Sequence, residues 1–241
     1  DQTMDASERT DAAAGRLAAA IGAPARARML YCLADGRSQT GTELALVAGL
    51  SPGTASVHLK RLKAEGLVTV AVAGRRRHYR LAGADVAAAL EALSVLAGGS
   101  RDPGHDRATP LRVARTCYDH LAGALGVALC SRFHALGWIS RLPTEDRPTL
   151  DLTEGGSKAL AGLGVDIQSL RLRRRRFAYG CMDWTERQPH LGGALGAALL
   201  EVALKRSWVR RQREGRALSV TAIGHREIQQ RFGISTDHLG S

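Results

Sequence analysis

Apolar positions between Ser51 and Leu62 fall at Ala55, Leu59 and Leu62, spaced by 4 and 3 residues, which puts one apolar stripe along a helix. Ser51 is suited to cap its start and Pro52 to occupy its first turn, while Gly66 ends it. With the stripe buried, Gly53, Val57, Lys60 and Arg61 project to the opposite side, and Thr54, Ser56 and His58 flank it. The pattern then changes. Leu67 to Val72 and His78 to Leu81 read as two strands, joined by Ala73-Gly74-Arg75-Arg76-Arg77 in a Gly-containing hairpin turn. A further helix is predicted over Ala84 to Leu96. The segment from Gly98 to Asp106 is rich in Gly, Pro and charge and lacks periodicity, so it reads as a linker.

The helix and hairpin have a shared chemistry. Small residues at a helix start let it sink into a DNA major groove about 12 Å wide, where Thr, Ser and His side chains bond base edges or phosphate oxygens. An arginine-loaded hairpin suits a phosphate backbone. The expected DNA-contacting set is therefore Ser51, Thr54, Ser56, Val57, His58, Lys60, Arg61, Arg75, Arg76 and Arg77.

From about Asp11 to Leu96 the chain resembles the ArsR/SmtB family of bacterial winged-helix repressors. The resemblance is carried by Pro24 to Gly36, by Thr40 to Ala48, and by an unbroken Ser-x-x-Thr-x-Ser-x-His-Leu-x-x-Leu pattern at Ser51, Thr54, Ser56, His58, Leu59 and Leu62. Val57 stands where many members have His or Arg, which points to apolar contact with a thymine methyl. The resemblance implies a homodimer formed through the helices near Asp11 to Ile21 and Ala84 to Leu96, bound to an inverted-repeat operator in double-stranded DNA. Two metal positions used in the family are missing here. Glu43 to Ala48 contains no cysteine, and Asp85 to Glu91 contains no histidine.

The remainder contains an internal repeat. Leu121-Ala-Gly-Ala-Leu-Gly-Val-Ala-Leu matches Leu191-Gly-Gly-Ala-Leu-Gly-Ala-Ala-Leu, with an offset of 70 residues that holds through Trp138 and Trp208. Thr149 to Thr153 then matches Ala217 to Thr221. Each copy reads as a helix, a strand with Trp, a turn, a second strand and a closing helix, which is the tail of a winged-helix unit. The expected architecture is mainly α with small β-hairpins. A winged helix-turn-helix domain (1–97) and a linker (98–108) precede a regulatory domain (109–241) of two winged-helix-like repeats, about 109–170 and 177–236.

Charge and composition add to this picture. The net charge of +11 favours a polyanionic partner, yet residues 1–100 carry only +3 (12 basic, 9 acidic) and residues 101–241 carry +8 (22 basic, 14 acidic). The run Arg171 to Arg176 is either a solvated connector or a phosphate clamp. The longest apolar run, Leu121 to Cys130, is short of the roughly 20 residues of a membrane span, and four widely spaced cysteines indicate a reduced, cytoplasmic chain without a membrane partner. The Gly-rich string at Leu191 to Gly196 lacks the strand before it and the acidic residue about 20 positions on that a dinucleotide site requires. Close helix packing accounts for it better.

One constellation stands out. Cys117-Tyr118-Asp119-His120 opens the first repeat, and Cys181-Met182-Asp183-Trp184 with His190 opens the second. If the repeats face one another, Cys117, His120, Cys181 and His190 could form a Cys2His2 site for zinc or another thiophilic metal ion, with Asp119 and Asp183 bonded to the rings. A thiol-reactive sensor and simple packing are the alternatives. Against a metal site, Cys and His are three residues apart in one copy and nine in the other. Cys32, beside Leu30 and Leu33, reads as a core thiol. The reading is of a transcriptional repressor controlled by a small effector, not an enzyme. An enzyme fused to a DNA-binding module would need a cofactor fingerprint or a nucleophile with its base, and an architectural protein would bind DNA with little sequence preference.

Overall fold

A computed structural model describes residues 6–74, 76–97, 109–143, 149–212, 215–237 and 239. The chain divides into two compact units, Asp1–Leu90 and Glu91–Ser241. The expected 98–108 linker lies outside the described residues. The division falls inside a helix, because Glu91 makes ion pairs with Arg115 and Arg216 of the second unit.

The first unit runs α1 (Ala6–Ile21), α2 (Pro24–Leu33), β1 (Gln39–Thr40), α3 (Gly41–Ala48), α4 (Pro52–Ala64), β2 (Val68–Ala73) and β3 (Arg76–Leu81), then enters α5 (Ala84–Ala97). The three strands form one antiparallel sheet in the order β1-β3-β2. Thr40 caps α3 in a reciprocal box with Glu43, and Gly49 ends that helix in a left-handed conformation. Ser51 caps α4 by accepting the Thr54 N–H, and Pro52 occupies its first turn. Ala55, Leu59 and Leu62 are buried, with Met29, Leu30, Leu33, Leu44 and Leu81 also in the core. Each large apolar side chain removed from water in this way contributes about 1.5–3 kcal/mol. The hairpin is longer than its sequence suggests. Its strands pair out to Ala73 and Arg76, so Arg76 and Arg77 lie on β3 and not in the turn. Arg75 lies outside the described residues.

The second unit continues with α6 (Pro110–Val113), β4 (Arg115–Cys117), β5 (His120–Ala122), α7 (Gly123–Ala135), β6 (Ile139–Leu142), β7 (Thr149–Leu152), α8 (Glu154–Gly162) and α9 (Ile167–Arg171). It then repeats much of that order as β8 (Ala178–Met182), β9 (Pro189–Gly192), α10 (Gly193–Lys205), β10 (Val209–Arg211), β11 (Leu218–Val220) and α11 (Ala222–Phe232). The equivalences extend to detail. Thr153 and Thr221 cap the closing helices by accepting the Gly156 and Gly224 N–H groups, and each hydroxyl donates to the carbonyl before a Trp, Gly137 or Ser207. Trp138 and Trp208 sit one residue ahead of their strands. Their N–H groups close the preceding helices on Phe133 O and Ala203 O at 2.9 and 2.8 Å. Phe133, Trp138, Trp208 and Phe232 meet around the Phe232 ring in one core that both halves build.

Each of the two Gly-rich helices is preceded by a short hairpin, β4-β5 or β8-β9, where no strand was expected from the sequence. These hairpins are exchanged between the halves. β8 extends the β6-β7 sheet of the first half, while Arg115 at the start of β4 bridges Ala217 beside β11 of the second.

Candidate functional sites

The recognition face of α4 follows from its apolar stripe. Burial of Ala55, Leu59 and Leu62 leaves Ser51, Thr54, Ser56, Val57, Lys60 and Arg61 exposed, whereas His58 is half-buried. Not every one is free to reach outward. The Ser51 hydroxyl is occupied in the cap and lies 3.0 Å from Thr54 Oγ1, and Arg61 pairs with Glu65 at 3.0 Å. His58 Nδ1 faces Arg26 Nη1 at 3.3 Å. Sequence reasoning passed over Arg26, which also donates to Ala19 O and Ala20 O and so ties α1 to α4. A cleft of about 700 Å³ runs between the helix-turn-helix and the hairpin, with Thr42, Ser56, Arg76 and Arg77 on its walls.

The second site is built by the exchanged hairpins. Cys117 pairs directly across from His120 in β4-β5, and Cys181 directly across from His190 in β8-β9. The unequal spacing is therefore a difference in turn length. The first hairpin turns through Tyr118 (φ 60°) and Asp119, whereas the second carries a longer loop with the same cross-strand register. All four side chains are buried, and one ligand atom from each lies within 4.8 Å of every other.

Glycine makes the approach possible. Gly123 and Gly193 start α7 and α10 with φ of +79° and +86°, where a Cβ would stand 2.7 Å from Arg112 O and Phe177 O respectively. One turn on, a Cβ at Gly126 would meet Leu121 O at 2.5 Å and His190 Cβ at 3.4 Å. At Gly196 it would overlap Leu191 O and stand 3.1 Å from His120 Cβ. Each helix thus receives the histidine of the other half against a bare backbone.

The two sulfurs lie 3.9 Å apart and the two Nε2 atoms 3.2 Å apart. Zinc bonds of about 2.3 Å to sulfur and 2.0–2.1 Å to nitrogen give tetrahedral edges of about 3.8 Å and 3.3 Å, close to both separations. The sulfur-to-nitrogen edges would be about 3.6 Å, so closure draws the most distant pair inward by about 1 Å. Both Nδ1 atoms face carboxylates, His120 toward Asp119 at 3.2 Å and His190 toward Asp183 at 3.3 Å. With the ring protons held on that side both Nε2 lone pairs would be available to a cation, and without one a proton on either ring bridges the 3.2 Å between them.

The carboxylates are supported unequally. Asp183 Oδ1 accepts from the Thr185 N–H, the Thr185 hydroxyl and the Glu186 N–H, and pairs with Arg115 at 2.9 Å; Oδ2 accepts the Gly123 N–H at 2.7 Å. Burial alone would raise this carboxyl, but His190 and Arg115 hold it well below the usual range. Burial acts in the same sense on Asp119, where His120 and Arg175 outweigh it and bring the value to about 2. Burial opposes charge on His120, yet Cys117 and Asp119 lift it to about 9. The hydrogen bond with Cys181, and then burial, push the Cys117 thiol up to about 12.

Residues 23–70 match the family described as "Bacterial regulatory protein, arsR family". The HTH-type transcriptional regulator YdfF of Bacillus subtilis, described as uncharacterized, is 34% identical over 222 residues, covering 91% of this chain and 96% of its own. The chain belongs to the ArsR family of bacterial transcriptional regulators. Among solved structures, the homodimeric winged helix-turn-helix domain of Mb0332 from Mycobacterium bovis is 30% identical, covering 43% of this chain and 94% of that one (TM-score 0.39). The cadmium metal-sensor CmtR of Mycobacterium tuberculosis is 38% identical, covering 33% and 81% (TM-score 0.29). Like its family, this ArsR regulator binds DNA and is not an enzyme. Among the described residues no helix is long and apolar enough to cross a membrane.

Proposed function

We propose that this ArsR regulator is a homodimeric repressor whose hold on an inverted-repeat operator is set by a thiophilic metal ion in its second unit. The observation that carries the reading is the convergence of two Cys–His cross-strand pairs, one from each exchanged hairpin, with their ligand atoms all within 4.8 Å. Four protein ligands close a tetrahedral centre and leave no open position, which suits retention of zinc or a chemically similar ion and not catalysis. Occupancy would join the two halves, each a winged-helix-like repeat without the Ser/Thr/His face of α4. On this reading residues 109–241 form a regulatory domain, and 1–97 a DNA-reading and dimerisation domain.

Dimerisation is supported by apolar side chains left exposed on the helices that the family resemblance assigns to it: Leu17 on α1, and Leu93 and Leu96 on α5. On the DNA side, Thr54, Ser56 and Val57 would set sequence preference, while Lys60, Arg61, Arg76 and Arg77 would set affinity; Arg75 belongs with them by sequence. The exposure of Val57 supports its expected apolar contact with a thymine methyl.

A thiol-reactive sensor fits less well. Cys117 and Cys181 are buried, and the Cys117 thiol, at about 12, is almost wholly protonated, whereas a bound metal ion deprotonates its thiol ligands outright. The test is elemental analysis of the purified chain, followed by operator binding with and without added zinc. Wild type should hold one ion per chain and change its DNA affinity with loading. The double variant Cys117→Ser/Cys181→Ser should do neither while still binding DNA. Equal zinc content and equal zinc response in both proteins would overturn the assignment.

A further inference from the structure

The two halves supply matching ligands, but only one half is open to solvent at its supporting carboxylate. Asp183 and its partner Arg115 are wholly buried, and Asp183 accepts from four donors besides pairing with Arg115 and facing His190. Asp119 has two partners, His120 and Arg175, and the side chains of Asp119 and Arg175 are 28% and 30% exposed. Asp119 occupies the tight turn of β4-β5 next to Tyr118 at φ 60°, and Arg175 belongs to the irregular segment between α9 and β8. The guanidinium grips the carboxylate from outside with both terminal nitrogens, at 2.5 and 3.4 Å. The His120 ring, itself 2% exposed, lies directly beneath.

We infer that the ion enters and leaves through the β4-β5 turn, with His120 as the exchanging ligand and the Asp119–Arg175 pair as the latch that holds it closed. This rests on the metal-binding reading above and assigns a direction to it. Cys181 and His190 belong to the hairpin whose carboxylate is fixed by interior donors, so they remain on the ion. His120 is fixed by a carboxylate with one external partner, so breaking a single ion pair at the surface frees the ring to turn. Asp119 and Arg175 are positioning residues that act through His120. Arg174, one residue before the latch and exposed, serves as the control for a general loss of positive charge at this mouth.

The experiment uses the full chain loaded with zinc and an excess of a colour-changing chelator, following zinc loss as a first-order rate. Arg175→Ala and Asp119→Asn should each release zinc about tenfold faster than wild type, in line with the effect of removing a partner from a ligand histidine. Arg175→Lys should restore much of the slow rate, and Arg174→Ala should leave it unchanged. Melting temperatures should be the same for Arg175→Ala and wild type, separating a latch from a general loosening of the fold. Wild-type release rates in zinc-loaded Arg175→Ala and Asp119→Asn, or equal acceleration by Arg174→Ala, would overturn the latch alone. A wild-type chain that takes up no zinc would overturn the metal reading and the latch with it.

Discussion

Replacing Gly196 with alanine probes the packing and the site at once. The added Cβ would overlap the Leu191 carbonyl oxygen, stand 2.8 Å from the carbonyl carbon, and stand 3.1 Å from His120 Cβ. Carbon atoms in good contact lie about 3.5–4.0 Å apart, so the carbonyl carbon of Leu191 alone requires a retreat of about 0.7 Å, the overlapping oxygen requires more, and His120 must give by about 0.4 Å. Neither neighbour is the free end of a flexible chain. Leu191 lies on β9 beside His190, and His120 on β5 is held by Asp119. Overpacking of this kind costs about 1–3 kcal/mol, which for a unit of this size lowers the melting temperature by about 2–12 °C. Because both histidines are displaced, zinc affinity should also fall by about tenfold or more. Scanning calorimetry and zinc titration of the full chain would measure the two effects. Gly162→Ala is the internal control, since nothing lies within 4 Å of its new Cβ; it should be neutral or stabilise by up to about 1 kcal/mol. A Gly196→Ala protein that melts with wild type and binds zinc as tightly would refute the close approach of helix and histidine.

Two further outcomes are expected. Burial pushes the Cys130 thiol up to about 11, which leaves about 0.1% thiolate at pH 8, so iodoacetamide should spare Cys130 in the folded protein and modify it fully in denaturant; rapid labelling of the native chain, read by mass spectrometry, would contradict this. Arg76→Ala/Arg77→Ala should weaken binding to operator and random DNA alike and reduce the slope of log affinity against log salt by about 2, and loss confined to one operator position would refute a phosphate role.

The DNA-reading unit was legible because each of its elements carries a local signal. The 4-and-3 spacing of Ala55, Leu59 and Leu62, the Ser51 cap and the Pro52 start all act within one helix, and they hold in the folded chain. Where the reading fell short, the missing information was non-local. Cross-strand pairing draws Arg76 and Arg77 out of the turn and onto β3. The Arg26–His58 contact spans 32 residues, and nothing in the residues around either one signals it. The arginine run from Arg171 shows the same limit. Arg171 pairs with Asp151 and stacks on Phe177, Arg175 holds Asp119, and Arg176 stacks on Tyr179, so most of its charge is engaged within the unit instead of being held ready for phosphate.

In the second unit the repeat was visible as an offset of 70 residues, and His120 and His190 obey that offset while Cys117 and Cys181 do not. Read as linear spacing, three residues against nine argued against a shared site. Read as strand register, the two pairs are equivalent. A ligand pair is fixed by which residues lie opposite each other in a hairpin, and a turn can lengthen without changing that register. The extra residues in the second hairpin form the Asp183–Glu186 loop, whose N–H groups and Thr185 hydroxyl satisfy Asp183 from within. The short Tyr118–Asp119 turn has no room for such a loop, and Asp119 takes its partner from Arg175 at the surface. The irregular spacing that weakened the metal reading is thus what makes the site asymmetric, with the carboxylate facing His190 held by interior donors and the one facing His120 held by an arginine at the surface.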